Sequence, residues 1–354
     1  MIKFRLPFML LAFANLIIGM AMGLIRMGWS FPVVPTAIHH GAIMVGGFLG
    51  TLILLEKVIP LKKKFLFAFP VINSLGLLMM DPEFYYMGIS CLIAGAVGLL
   101  VVFIFYLKTQ PKELSLWLMI AGACCQIGGH IMLVSKQFYP LAFPWWMGFL
   151  FLVIVGERVE LSKFLPVTQK DKNALLLFSG FFLAGLFAPF HGTGKYLSAA
   201  GVISVALWLL RHDVISIAIK KEGLTRFSAY ALLTGCIALI FTGVFLIAFP
   251  DLPFAYDAVV HTFFLGFVFS MIFAHGPIIL PGVLGFSVKP YHPLLYVPLF
   301  TILCSLVLRI LADITVLPYL TRLWSGWISV TSILMYFILL LSITIVKVRN
   351  AKTI

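Results

Sequence analysis

The sequence predicts an all-α integral membrane protein with about twelve transmembrane helices. Three observations carry that prediction. Of the 354 residues, 62% are hydrophobic and only 10% charged, with a mean hydropathy of +1.12. That balance leaves too little polar surface for a soluble globule of this size. Runs of about 20 apolar residues, the length that crosses a bilayer, recur along the whole chain. No hydrophilic stretch between them is long enough for a soluble domain, so residues 1–354 read as one polytopic unit.

The first apolar run, from Leu6 to about Gly28, is longer than a signal-peptide core and has no small-residue cleavage site after it. It reads as a retained helix over 6–27. The remaining spans are expected at 37–59, 65–80, 85–107, 114–135, 141–159, 174–190, 195–217, 227–249, 256–281, 294–316 and 324–346. The third and seventh are short. Asp81-Pro82, Gln110-Pro111 and Pro250-Asp251 break the pattern between spans.

The formal charge of +13 sits in short loops, where the positive-inside rule explains it better than nucleic-acid binding does. With the N-terminus in the cytoplasm, Lys62, Lys63, Lys64, Lys108, Lys112, Lys163, Lys170, Lys172, Lys220, Lys221, Arg226, Lys289, Lys347 and Arg349 all face inward. The outer loops then keep mainly Arg26, Lys136, Lys195 and Arg322, beside Asp81, Glu83, Asp251 and Asp257. The expected location is a bacterial-type inner membrane with both termini cytoplasmic. Cys91, Cys124, Cys125, Cys236 and Cys304 all lie within apolar runs, so a disulfide framework is not expected. The adjacent Cys124 and Cys125 read as small packing residues or as soft-metal ligands.

On this topology five of the eight histidines fall near the outer ends of spans: His39, His40, His130, His191 and His261. Imidazoles within lipid are costly and rarely idle. His275 stands 14 residues after His261, about 21 Å further in. His212 and His292 lie at the inner surface. Three segments also look alike: Gly47-Phe48-Leu49, Gly148-Phe149-Leu150 and Gly266-Phe267-Val268. They sit on spans 2, 6 and 10, and nine residues after each glycine stand Glu56, Glu157 and His275. Equal spacing in spans and equal orientation predict three pseudo-repeated four-helix units, about 1–110, 111–222 and 223–354, with spans 2, 6 and 10 innermost.

Such a ring resembles the haem–copper oxidase catalytic subunit, in which haem ligands come from outer positions on spans 2 and 10. The segment His40-Gly41-Ala42-Ile43-Met44-Val45-Gly46-Gly47-Phe48 and the segment His261-Thr262-Phe263-Phe264-Leu265-Gly266, followed by Met271-Ile272, resemble the corresponding spans of the NnrS family. Those are haem- and copper-containing membrane proteins associated with nitric oxide metabolism and nitrosative stress. His40, Met44, Gly47 and Phe48 fit the family's first pattern, and His261, Gly266, Met271 and Ile272 fit its second. The chain departs from it at Ala42, where the family usually has a second histidine.

The expected cofactor is haem b held by His40 and His261, two imidazoles at similar depth. His39 points roughly 100° away from His40, so both cannot serve one haem. Arg309 and Arg26 occupy outer positions like those of oxidase arginines that hold propionates. Arg309 also reads as an i,i+4 partner of Asp313, and the two roles can coexist. Copper held by His39, His130 and His191 is the expected second metal, if there is one. His275 lacks a partner for a second haem and reads as a proton-relay or structural residue near Glu56 and Glu157. Span 6 lacks the histidine an oxidase uses for copper, and span 7 lacks the adjacent pair that follows, which argues against oxygen reduction with proton pumping. The leading expectation is therefore a haem-binding protein handling nitric oxide or electrons, with a small gas ligand or electron donor as partner besides the lipid bilayer. If it is an enzyme, it is a haem-dependent oxidoreductase. A proton-coupled secondary transporter without cofactor, and an assembly factor for a respiratory complex, remain as alternatives. Three parallel units argue against the former, since transporters usually show two halves or inverted repeats.

Overall fold

A computed structural model describes residues 2–31, 37–81, 83–111, 113–248, 252–315 and 317–352. Pro82, Lys112, Pro250 and Asp251, used above in the topology, lie outside the described residues. Within them every expected span is occupied by helix: α1 (Arg5–Arg26), α2 (Ala37–Leu61), α3 (Lys64–Met79), α4 (Tyr85–Thr109), α5 (Leu114–Lys136), α6 (Tyr139–Leu161), α7 (Gln169–Phe187), α8 (Phe190–His212), α9 (Gly223–Ala248), α10 (Ala255–Leu284), α11 (Pro293–Ile314) and α12 (Tyr319–Ala351). Ten of these are long and apolar enough to cross a membrane. The protein is a multi-pass helical membrane protein. The two exceptions are the short spans of the sequence. α3 is too short, and the first turn of α7 carries Lys170, Asp171 and Lys172.

Helix ends follow local chemistry. α2 stops where Lys62 turns left-handed at φ 54°, and α5 where Gln137 does so at φ 49°. α4 stops at Gln110, whose extended backbone is what a following proline imposes. α7 opens with a reciprocal cap in which the Thr168 hydroxyl accepts from the Asp171 backbone N–H and the Thr168 backbone N–H donates to the Asp171 carboxylate. Thr168→Ala is expected to cost about 0.5–2 kcal/mol, read as a lower unfolding midpoint in detergent.

The chain divides into two compact units, one of Met1–Glu157 with Val283–Gly285, the other of Arg158–Gly282 with Phe286–Ile354. Neighbours in sequence are neighbours in space in each: α1 packs on α2, α3 on α4 and α4 on α5 in the first unit, and α7 on α8, α8 on α9, α9 on α10 and α11 on α12 in the second. Short loops between antiparallel helices give this arrangement. Of the ten membrane-length spans the best buried are α6, with 78% of its most apolar stretch buried, and α2 and α10, with 67% each; none of the other seven exceeds 50%. These are the three spans that carry the Gly-Phe segments. Two of them share a backbone feature: α2 winds as π-helix over Ile43–Gly50 and α10 over Thr262–Val268, whereas α6 is a continuous α-helix.

Candidate functional site

In the second unit the start of α10 forms a charged cluster. His261 directs Nδ1 to the Asp257 carbonyl at 3.0 Å and to its carboxylate at 3.2 Å. Asp257 is gripped by two prongs of Arg309, Nε at 2.7 Å and Nη2 at 3.0 Å. Arg322 reaches Asp257 at 3.3 Å, donates to Asp313 at 2.8 Å and lies over the Phe254 ring. The i,i+4 spacing suggested Asp313 as the partner of Arg309; the carboxylate its two prongs hold is Asp257, on another helix. Two arginines against two aspartates make a balanced set, which is what allows four charges inside a membrane protein. The His261 Nε2 makes no hydrogen bond with any described residue and is not among the atoms sealed from solvent.

In the first unit His40 directs Nδ1 to the Gly19 carbonyl at 2.7 Å, and its ring lies over Gly23. A Cβ on Gly23 would stand 2.9 Å from the imidazole, so only glycine lets the ring settle against α1. His39 is half a world of chemistry away from metal binding through that nitrogen: its Nδ1 meets the Tyr139 hydroxyl at 2.7 Å, and its ring stacks on Tyr85. Arg26 closes α1 with an exposed side chain. His191 sits in the short π turn Phe190–Gly194 of the second unit, against Tyr256.

His130 differs from the rest. It is fully buried, and neither ring nitrogen has a hydrogen-bond partner among the described residues. Gln126, one turn earlier on α5, is also fully buried with its amide nitrogen and oxygen both unpartnered. Glu56 and Glu157 share one cation, Lys57, at 3.0 and 2.8 Å. His275 belongs to a different group, in the second unit. Its Nδ1 faces the Met271 carbonyl, and its Nε2 accepts from Arg158 at 2.5 Å. Arg158 holds Asp213 with two further prongs, at 2.7 and 2.5 Å, and Ser162 also donates to Asp213. Arg158 and Asp213 are each only 3% exposed. Among the described residues no three His, Cys, Asp or Glu side chains gather as a metal site.

A family model matches residues 5–345. The chain belongs to the family described as Domain of unknown function (DUF8744). The match covers nearly the whole polytopic region, so both units belong to the DUF8744 architecture. No curated protein and no solved structure matches the chain.

The sequence singled out the histidines and missed most of their partners. Gln126, Asn73, Asn15 and Arg158 are polar residues inside or at the end of apolar runs, and the cost argument applied to histidine applies equally to them. The spacing Asp257–His261 was a legible signal too, since four residues place both on one helix face.

Proposed function

We propose that this DUF8744 protein is a haem-binding membrane protein, with His40 in the first unit and His261 in the second as ligand histidines and electron or nitric oxide handling as its activity. One observation carries the reading. The two histidines are set up alike, each with Nδ1 committed to a backbone carbonyl and each at the head of a π-helical stretch in a deeply buried span. A committed Nδ1 fixes the tautomer and turns Nε2 into the coordinating atom, which is how ligand imidazoles are usually prepared. π-Helical turns occur disproportionately at functional sites. Haem, when bound, would supply one-electron chemistry. The protein's part is to hold the two imidazoles, to fix the His261 ring through Asp257, and to hold Asp257 in place through Arg309 and Arg322. Arg309 already holds Asp257, so a propionate would share that guanidinium rather than own it. Copper held by His39, His130 and His191 stays the second metal of the proposal, to be read as copper content of the same preparation. The common Gly-Phe pattern and deep burial of α2, α6 and α10 support a duplicated ancestry for these spans.

A visible spectrum of the purified full-length protein, oxidised and dithionite-reduced, tests the proposal. A reduced α-band is expected, and a spectrum without haem bands after expression in haem-replete cells would refute it. His212→Ala and His292→Ala are expected to leave haem content unchanged. His212 is spent on Trp208 and Asp171, and His292 caps the start of α11. Loss of haem in either variant would show that the site is misplaced.

A further inference from the structure

We infer that the first unit carries a proton-conducting file along α2, with His130 as its central carrier. The observation is a set of polar groups, all in this unit, disposed along one helix. At the head of α2, His39 meets the Tyr139 hydroxyl. The Tyr139 ring is 5.9 Å from Trp146, and Trp146 is 5.8 Å from His130. His130 lies over Gly46, and Gln126 over Gly50. Asn73 continues the line: its amide nitrogen donates to the Gly46 carbonyl at 2.7 Å and to the Thr51 hydroxyl at 2.8 Å. About 7 Å further along the helix stand Glu56 and Lys57, joined by Glu157. From His39 to Lys57 the helix rises about 27 Å at 1.5 Å per residue, close to the ~30 Å hydrocarbon thickness.

The middle of this file is the part that a structural role does not explain. Seven buried polar atoms there have no hydrogen-bond partner among the described residues: both nitrogens of His130, both amide atoms of Gln126, Trp146 Nε1, Asn73 Oδ1 and Asn15 Oδ1. Inside a membrane each such atom costs on the order of 1–3 kcal/mol or more if nothing meets it. Internal water is the ordinary partner of unsatisfied buried polar groups. The set is uncharged and mixes donors with acceptors, which suits water and suits neither a metal cation nor an anion. Close packing keeps the file narrow. A Cβ on Gly46 would stand 2.9 Å from His130, and one on Gly50 would stand 2.7 Å from Gln126.

Neutral imidazole has one N–H and one acceptor nitrogen. A proton arriving through water at the acceptor nitrogen is matched by release of the other N–H proton. The ring is left neutral in its other tautomer, and no electron moves. At the far end the Glu56 and Glu157 carboxylates meet at Lys57, and a carboxylate there takes up or gives off the proton. The driving force is the proton gradient or potential across the membrane. The file lies wholly in the first unit and does not depend on haem.

The test is full-length protein reconstituted in liposomes with a pH-sensitive dye inside and a valinomycin-imposed potassium diffusion potential. Wild type is expected to take up protons at least about five-fold faster than protein-free vesicles. His130→Gln keeps hydrogen bonding but cannot relay a proton, and is expected to lose most of that flux. Gln126→Leu, nearly the same size, is expected to lose it in part. His292→Ala should conduct like wild type. Monodisperse elution of each variant separates lost conduction from lost folding; should His130→Gln misfold, Gln126→Leu decides. Wild-type flux equal to that of empty vesicles, or full flux in a folded His130→Gln or Gln126→Leu variant, would overturn the inference.

Discussion

Replacing Arg158 with methionine is expected to cost about 3–5 kcal/mol, the range for breaking a buried ion pair from one side. Arg158 and Asp213 sit at 3% exposure and are joined by two hydrogen bonds. Without the guanidinium, Asp213 keeps, among the described residues, Ser162 and the Val214 backbone N–H to answer its charge. His275 loses the donor to its Nε2 at the same time. Unfolding against denaturing detergent would read the loss. The double variant Arg158→Met/Asp213→Leu is expected to recover at least half of it, because an apolar pair removes both desolvation costs together. A double variant as unstable as the single one would show that Arg158 acts by packing rather than by charge.

The second large effect concerns the histidines at the heads of the π-helical stretches. His40→Ala and His261→Ala are each expected to remove or strongly weaken the reduced α-band, since each takes away a ligand imidazole. Asp257→Ala is expected to weaken haem retention by about ten- to a hundred-fold, the usual consequence of losing the group that orients a ligand imidazole. Arg309 and Arg322 would each lose the Asp257 carboxylate. Normal spectra in both histidine variants would remove the ligand assignment, and unchanged retention in Asp257→Ala would remove the orienting role alone.

The helices were legible because length and apolarity decide them before any packing does. Even the two weak spans, α3 and α7, reflect visible features: a short run and a charged first turn. The deep burial of α2, α6 and α10 was foreshadowed by their glycine–phenylalanine segments. Pairing was harder to read. Arg309 and Asp313 are correctly spaced for each other, yet Asp257 and Arg322 arrive from other helices and compete. Charge partners in a membrane are chosen by tertiary approach, and periodicity within one helix carries no information about it. The π-helical geometry was likewise hidden, because residues such as Met44 and Phe264 suit an ordinary α-helix equally well.

That geometry has a consequence for how the protein tolerates length changes. A π turn accommodates one residue more than an α turn would, so the stretch Ile43–Gly50 acts as a phase shifter in α2. Deleting a single residue there removes the extra residue and lets the stretch close as α-helix. His39 and His40 would then stay nearly in phase with Glu56 and Lys57, because the tighter winding offsets the missing residue. A one-residue deletion within 43–50 should therefore be better tolerated than one within 51–55, which is already α-helical and would turn the two ends of α2 by about 100° relative to each other.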